Sequence, residues 1–74
     1  MFIATLAQAK EYNIQFVTRR VLADHMNIGE RLFMKMVGEG KMPKGIKMGD
    51  NKVVYDVDEF ESALAQLKED DRVE

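Results

Sequence analysis

Apolar residues recur at helical spacing in four stretches of this chain, and a segment of short alternating runs separates the third stretch from the fourth. The first stretch predicts an amphipathic helix over residues 2–12 that ends at Asn13. Its expected apolar face consists of Phe2, Ile3, Leu6 and Ala7. Because this helix precedes the remaining pattern, we expect it to be an addition at the N-terminal end, residues 1–13.

The next stretch predicts a helix over residues 19–26 with Thr18 as its N-cap, whose hydroxyl would accept a backbone N–H of the first turn. Val17 and Leu22 stand at the two positions of a hydrophobic staple. Asn27 follows where a left-handed residue closes a helix. The expected inward residues are Val21, Leu22 and Met26, and the expected outward ones are Arg19, Arg20 and Asp24.

A third helix is predicted from Gly29 or Glu30 to about Gly38, which makes residues 17–38 two helices joined by a short turn. Its buried side is marked by the i, i+3, i+4 spacing of Phe33, Met36 and Val37. Gly38 and Gly40 would stop this helix, and Pro43 would fix the direction of the chain beyond it.

Residues 44–55 predict a β-hairpin with strands at about 45–48 and 52–55. The connecting residues Gly49, Asp50 and Asn51 tolerate the positive φ angles of tight turns. The hairpin carries three lysines, Lys44, Lys47 and Lys52. Its apolar residues are Ile46, Met48 and Val53–Tyr55.

The last helix, residues 56–68, has the clearest start. Asp56 and Glu59 have the spacing of a capping box, and Tyr55 and Phe60 occupy the staple positions. Its apolar stripe consists of Val57, Phe60, Leu64 and Leu67, with Ala63 beside them. Residues 69–74 are expected to be a charged, frayed tail.

Composition restricts the chemistry more than the fold. The 74 residues suffice for one small domain, and with no cysteine and one histidine, His25, a thiolate or His-rich metal site is excluded. The chain lacks a basic leader and a continuous apolar span, so we expect a cytoplasmic protein that does not contact membranes. No set of residues suggests catalysis, and we expect neither an enzyme nor a cofactor.

Charge is distributed unevenly along the chain although the net charge is only −2. Residues 14–55 hold eight Lys/Arg and four Asp/Glu, whereas residues 56–74 hold two and eight. A basic binding face with an acidic back would produce this asymmetry. An ordinary solvated surface with an acidic last helix would produce it as well.

Several short motifs appear in the order expected of one family. They are Val17-Thr18, Leu22-Ala23, Asn27-Ile28, Phe33, Met36-Val37, Gly40-Lys41-Met42-Pro43 and Tyr55-Asp56 before Phe60. Through these residues the chain resembles the small MerR-like winged-helix proteins of phages and mobile elements. That group includes excisionases, AlpA-type regulators and the DNA-binding domains of some terminase small subunits. The resemblance covers about residues 16–67.

The resemblance implies an α+β fold: a small winged helix-turn-helix, here with an extra N-terminal helix. It also implies a non-enzymatic protein that binds double-stranded DNA in a bacterial host cell, in association with the nucleoid. Its role would be that of an excisionase-like architectural factor or a transcriptional regulator. Its partners would be further copies of itself on DNA, or a protein such as a recombinase.

The chain departs from the usual pattern at the turn and at the second helix of the pair. Asn27 stands where Gly is usual, Gly29, Glu30 and Leu32 stand where Ser and small polar residues are frequent, and Met34 replaces a frequent aromatic residue. These departures leave open a second interpretation, a winged-helix protein-interaction module. Such a module would be a phage-encoded inhibitor, an adaptor or a terminase small-subunit-like assembly factor.

The candidate DNA contacts fall into three groups. A helix in the major groove would present Arg31, Met34 and Lys35. The start of the preceding helix would offer Thr18, Arg19 and Arg20 to a phosphate. The hairpin would contribute Lys44, Lys47, Asn51 and Lys52. Each group has an alternative. The charges of the first group could be merely solvated or locally paired, and Thr18 could serve only as a cap. The hairpin lysines could protect the edge of the hairpin from aggregation.

Leu32 and Met34 admit two interpretations, because both are apolar and stand beside the stripe of Phe33. Either the N-terminal helix folds over them as added core, or they form an exposed surface for a partner. The acidic residues from Asp56 to Glu61 are better explained by helix capping and dipole compensation than by a metal site or acid–base chemistry.

Overall fold

The computed structural model describes residues 3–73 as an α+β domain of four helices and a small three-stranded antiparallel sheet. In chain order the elements are α1 (Leu6–Glu11), β1 (Phe16–Val17), α2 (Arg19–His25), α3 (Glu30–Gly38), β2 (Ile46–Lys47), β3 (Val53–Asp56) and α4 (Val57–Asp70).

Helix α1 is shorter than the predicted helix over residues 2–12. Its N-cap is Thr5, whose hydroxyl accepts the backbone N–H of Gln8 at 3.1 Å, while the Gln8 side chain accepts the N–H of Ala4. These bonds fix the start of the helix, so that Leu6 and Ala9 are buried and Ala7 is exposed. The prediction that Ala7 lies on the apolar face was wrong, and Phe2 lies outside the described residues.

Two asparagines close the helices that precede them, as the sequence predicts. Asn13 follows α1 with a φ of 57°, and Asn27 follows α2 with a φ of 58°. At Asn27 the backbone turns, and Ile28 donates its N–H to the Ala23 carbonyl at 3.0 Å. The turn sends α3 back across α2, and the two helices pack against each other. Helix α2 ends at His25, one residue before the predicted end, because Met26 is its C-cap.

The sheet contains one strand that was not predicted. β1 pairs with β3 in the register Phe16–Asp56 and Val17–Tyr55, and β2 pairs with the other edge of β3 in the register Lys47–Val53. The strand order is therefore β1-β3-β2. This arrangement connects the start of α2 to the base of the hairpin, because β1 leads directly into α2.

The hairpin and the last helix differ from the predictions in extent. Strands β2 and β3 cover residues 46–47 and 53–56 rather than 45–48 and 52–55. Asp50 and Asn51 do not adopt the positive φ angles that were allowed for them. The helix α4 continues to Asp70, so the predicted tail begins two residues too early.

The core lies where α1, α2, α3 and the start of α4 meet β3. Its largest fully buried side chains are Phe33, Phe60 and Leu22. Phe33 meets the Tyr55 ring edge to face, with ring centroids 5.4 Å apart. Tyr55 and Phe60, which stand at the predicted staple positions on the two sides of the N-cap of α4, are both buried. The remaining buried residues are Leu6, Ala9, Val17, Val21, Ala23, Met42, Val54 and Val57.

Candidate nucleic-acid interface

The outer face of α3 combines two cations with two apolar side chains. At about 100° per residue, Arg31 and Lys35 lie nearly opposite the buried Phe33, and Leu32 and Met34 lie on the two flanks between them. Leu32 is 46% exposed and Met34 39% exposed. The two cations occupy the middle of the surface that α3 presents to solvent. A ligand that approaches this side of the helix would therefore contact them first.

Tyr55 connects this helix to the hairpin. Its ring packs on Phe33, and its hydroxyl donates to the Met34 Sδ at 3.4 Å. On the β2 side the ring passes close to Gly45, where a Cβ atom would lie 3.1 Å from the Tyr55 Cζ and closer still to Val53. A side chain at position 45 would therefore collide with Val53 and crowd the Tyr55 ring, both on β3.

The hairpin presents its lysines on more than one side. Lys47 is the cross-strand partner of Val53, and its side chain leaves the sheet on the face shared with Val53 and Tyr55. This is the face on which Tyr55 contacts α3. Lys44 is exposed before β2, and Asn51 is exposed in the loop between β2 and β3.

Lys52 belongs to a second cluster, around a groove of about 690 Å³ between β1, the start of α2 and β3. Thr18, Arg20 and Asp24 lie along the same groove, whose floor is apolar. The predicted contact residues thus form two sets. One set comprises α3 and Lys47, and the other comprises Thr18, Arg20 and Lys52.

Ion pairing divides the cations of the described residues into a paired group and an unpaired group, which do not coincide with the two sets just described. Within residues 3–73, ion pairs join Lys10 to Glu61 at 2.7 Å, Arg19 to Glu30 at 2.9 Å, Arg20 to Asp24 at 3.9 Å and Lys41 to Asp71 at 3.3 Å. In the same part of the chain Arg31, Lys35, Lys44, Lys47 and Lys52 form no ion pair. Local pairing, the alternative for this group, is therefore not observed: Arg31 does not pair with Glu30, and Lys35 does not pair with Glu39.

The start of α2 differs from its prediction in one respect. Thr18 is the N-cap residue, but its hydroxyl makes no capping hydrogen bond, and the N–H of Val21 instead donates to the Thr18 carbonyl at 3.2 Å. The expected hydroxyl cap was wrong because the backbone carbonyl closes the first turn. Arg19 is already engaged by Glu30, so a phosphate at this site would have to displace that carboxylate.

The position of α1 settles how Leu32 and Met34 are exposed. Helix α1 packs against α2, and its Lys10 reaches Glu61 of α4. It does not cover the flanks of α3, so the interpretation of Leu32 and Met34 as added core was wrong. Both side chains remain available to a ligand or a partner.

The acidic residues at the start of α4 serve the helix itself. The Asp56 carboxylate accepts the Glu59 backbone N–H and the Gln15 side-chain N–H, each at 3.0 Å. The Glu59 N–H, followed by the Gln15 amide, holds the pKa of Asp56 below its usual value, because both donate to the ionised form. No cluster of three potential metal ligands occurs within the described residues.

The sequence did not reveal two features of this surface. One is Glu30 as the partner of Arg19, since the two residues are eleven positions apart and on different helices. The other is the exposure of Ile46, Met48 and Val53, which surround the hairpin lysines with apolar surface. The exposure of a residue on so short a hairpin depends on which parts of the sheet are covered by other elements. The sequence does not show this.

Compared with known proteins, the chain matches no protein-family model, no curated protein and no solved structure. In residues 3–73 no helix is both long enough and apolar enough to cross a membrane.

Proposed function

We propose that this chain is a small non-enzymatic protein that binds double-stranded DNA through a winged helix-turn-helix. Helix α3 enters the major groove, and the β2–β3 hairpin contacts phosphates beside it. The biological role is that of an excisionase-like architectural factor or a transcriptional regulator of a phage or mobile element, and the site of action is the nucleoid of a bacterial cell.

The observation that carries the proposal is that the cations of α3 and the hairpin are free of ion pairs within residues 3–73. The five exposed cations of α3 and the hairpin have no carboxylate partner in the described structure, whereas Lys10, Arg19, Arg20 and Lys41 each have one. Unpaired cations bind phosphates without first breaking an ion pair, and phosphate contacts supply most of the nonspecific affinity for DNA. Arg31, in the middle of the α3 face, can donate to the acceptor atoms that base pairs present in the major groove.

The order of the elements also supports this proposal. A strand precedes the two helices, a hairpin follows them, and that first strand pairs with the second strand of the hairpin. This order is compatible with a helix-turn-helix flanked by a wing. The left-handed Asn27 supplies the tight turn between α2 and α3 that such a pair of helices requires.

A domain of this size offers few contacts, so its DNA complexes depend on association. Single modules bury less surface on DNA than the dimers that bind tightly. We therefore propose that copies bind cooperatively on neighbouring sites, with a partner such as a recombinase in the excisionase-like case.

A second candidate is a protein-interaction module on the same fold. The observation that favours it is the exposure of Leu32 and Met34 on α3, because exposed apolar side chains also mark protein interfaces. The two candidates differ in their dependence on salt, since a contact made through apolar side chains is little affected by ionic strength.

A titration with nonspecific duplex DNA at several salt concentrations tests the first candidate. About four phosphate contacts predict a log–log slope of the binding constant against salt of about −3 to −4. Fluorescence anisotropy of a labelled duplex provides the measurement. A flat salt response, or no binding at low salt, would exclude DNA binding as the function and favour the interaction module.

A further inference from the structure

The α3 face that points away from the core has an unusual chemistry for a helix that reads bases. Arg31 and Lys35 donate hydrogen bonds only, and Leu32 and Met34 neither donate strongly nor accept strongly. Glu30, the one carboxylate of α3, is held by Arg19 at 2.9 Å. The face therefore lacks the amide that recognises adenine and a free carboxylate that accepts from cytosine.

Thymine offers the one apolar group in the major groove, the methyl group on C5. In an A·T pair this methyl lies at the outer end of the base-pair edge, beyond the O4 acceptor and towards the backbone of its own strand. A helix whose middle is cationic and whose flanks are apolar matches this arrangement. The cations face the centre of the groove, and the flanks face the methyl groups on its two sides.

The two apolar flanks are suited to such a contact in different ways. Leu32 is 46% exposed and forms no hydrogen bond through its side chain. Met34 is anchored at its sulfur by the Tyr55 hydroxyl at 3.4 Å, which holds the thioether between α3 and the hairpin. Both side chains lose water contact when they meet a methyl group, and this gain requires no hydrogen-bond partner.

Charge decides between DNA and a protein as the occupant of this face. The apolar pair is flanked by Arg31 and Lys35, neither of which is ion-paired within residues 3–73, and Lys47 lies on the sheet face towards α3. A partner that covered Leu32 and Met34 would have to neutralise these cations. A duplex supplies the opposite charge, about one negative charge per 1.7 Å of helix axis.

We infer that α3 recognises 5-methylpyrimidine edges in the major groove, with thymine as their source, through Leu32 and Met34. The inference rests on the proposed function and specifies its ligand as thymine-bearing duplex. Arg31 and Lys35 supply affinity in the centre of the groove, and the two apolar side chains supply the preference for the methyl group.

Binding to four matched duplexes tests the inference. One pair consists of alternating A·T and the same sequence with deoxyuridine for thymidine, and the other of alternating G·C with and without 5-methylcytosine. Each pair differs by the methyl group while the Watson–Crick hydrogen bonds stay the same. We expect the methylated member to bind about four-fold more tightly for each methyl group buried.

The double variant Leu32→Ala, Met34→Ala assigns the preference to α3. It should bind both members of each pair equally and keep the salt dependence of the parent, since no cation is removed. Met48→Ala is the matched control, because Met48 is a 52% exposed apolar residue of the hairpin loop, and this variant should keep the methyl preference. Thermal unfolding of each variant verifies that it remains folded.

The outcomes separate the inference from the proposed function. Equal binding of the thymine and uracil duplexes overturns the inference and leaves DNA binding intact. A thymine preference without a 5-methylcytosine preference overturns it too, because duplex stiffness would then explain the difference. A preference retained in the double variant overturns the assignment to Leu32 and Met34. If no duplex binds at low salt, the proposed function fails, and the inference fails with it.

Discussion

The lysines on the surface formed by α3 and the hairpin have different surroundings from Lys10 and Lys41, which lie against the C-terminal segment. Lys10 and Lys41 each lie within 4.0 Å of a carboxylate of the C-terminal segment, at 2.7 Å and 3.3 Å. On the α3 and hairpin side, Lys35 and Lys47 have no such partner within the described residues. Apolar side chains flank these cations instead.

This difference shows that the number of cations in a segment does not measure the charge available to a ligand. Glu61 and Asp71 of the C-terminal segment pair with Lys10 and Lys41, and no ion pair within residues 3–73 joins that segment to α3 or the hairpin. A chain with a net charge of −2 can in this way present a positive surface. The predictions below test whether the two surfaces behave differently.

The largest effect is expected from removing the cations of α3. The double variant Arg31→Ala, Lys35→Ala should weaken binding to nonspecific duplex about tenfold or more at low salt, because two cations that neutralise the charge of the duplex are lost. The free energy of unfolding should change little, since both side chains are exposed and unpaired. Anisotropy titrations at several salt concentrations measure the first quantity, and urea denaturation measures the second.

The matched control removes the same charge from the other surface. Lys10→Ala, Lys41→Ala eliminates two ion-paired lysines and should change DNA affinity less than about twofold. If both double variants weaken binding equally, total charge rather than the α3 and hairpin surface determines affinity, and the comparison between the two surfaces fails.

A smaller effect in the opposite direction is expected from Glu30→Gln. This change releases Arg19 from its 2.9 Å ion pair and removes a negative charge at the start of α3. We expect DNA affinity to rise by about two- to five-fold, since one more arginine becomes available to a phosphate. Glu39→Gln provides the control, because Glu39 forms no ion pair within residues 3–73 and its replacement frees no arginine. An equal gain from both variants would mean that Arg19 does not contact DNA.

The smallest effect concerns stability, and it should occur without a change in DNA binding. Hydrogen bonds from Glu59 and Gln15 lower the pKa of Asp56 in the folded state, so ionised Asp56 stabilises the fold above its unfolded pKa. This stabilisation is lost as the pH falls through the lowered folded pKa. Asp56→Asn should therefore melt below the parent at neutral pH and approach it in acid. Asp50→Asn, in the hairpin loop, should melt like the parent throughout, and a constant difference for Asp56→Asn would refute the assignment.

Most helix boundaries followed from the sequence because local chemistry sets them. The asparagines at 13 and 27 and the aspartate at 56 act within a few residues of their own position, through left-handed backbone or a capping bond. The start of α1 was missed although Thr5 and Gln8 have capping-box spacing, because the apolar residues before Thr5 extended the helical pattern.

The features that the sequence did not reveal are those that depend on distant residues. Strand β1 has only two residues, too few for an alternating pattern, and its partner β3 lies about forty positions away. The Arg19–Glu30 ion pair joins two helices, and the exposure of Leu32 depends on where α1 packs. The candidate DNA-contact residues could be chosen from the sequence by residue type and helix face. Which of them form ion pairs could be determined only from the fold.

The central claim is that α3 and the hairpin form the DNA-binding surface, and amide chemical-shift mapping tests it most directly. Nonspecific duplex is titrated into the labelled protein at low salt, and again at a salt concentration that releases it. We predict salt-reversible shifts concentrated in residues 30–38 and 44–53, with little change in residues 57–70. Shifts concentrated in α4, or shifts that do not respond to salt, would contradict the account.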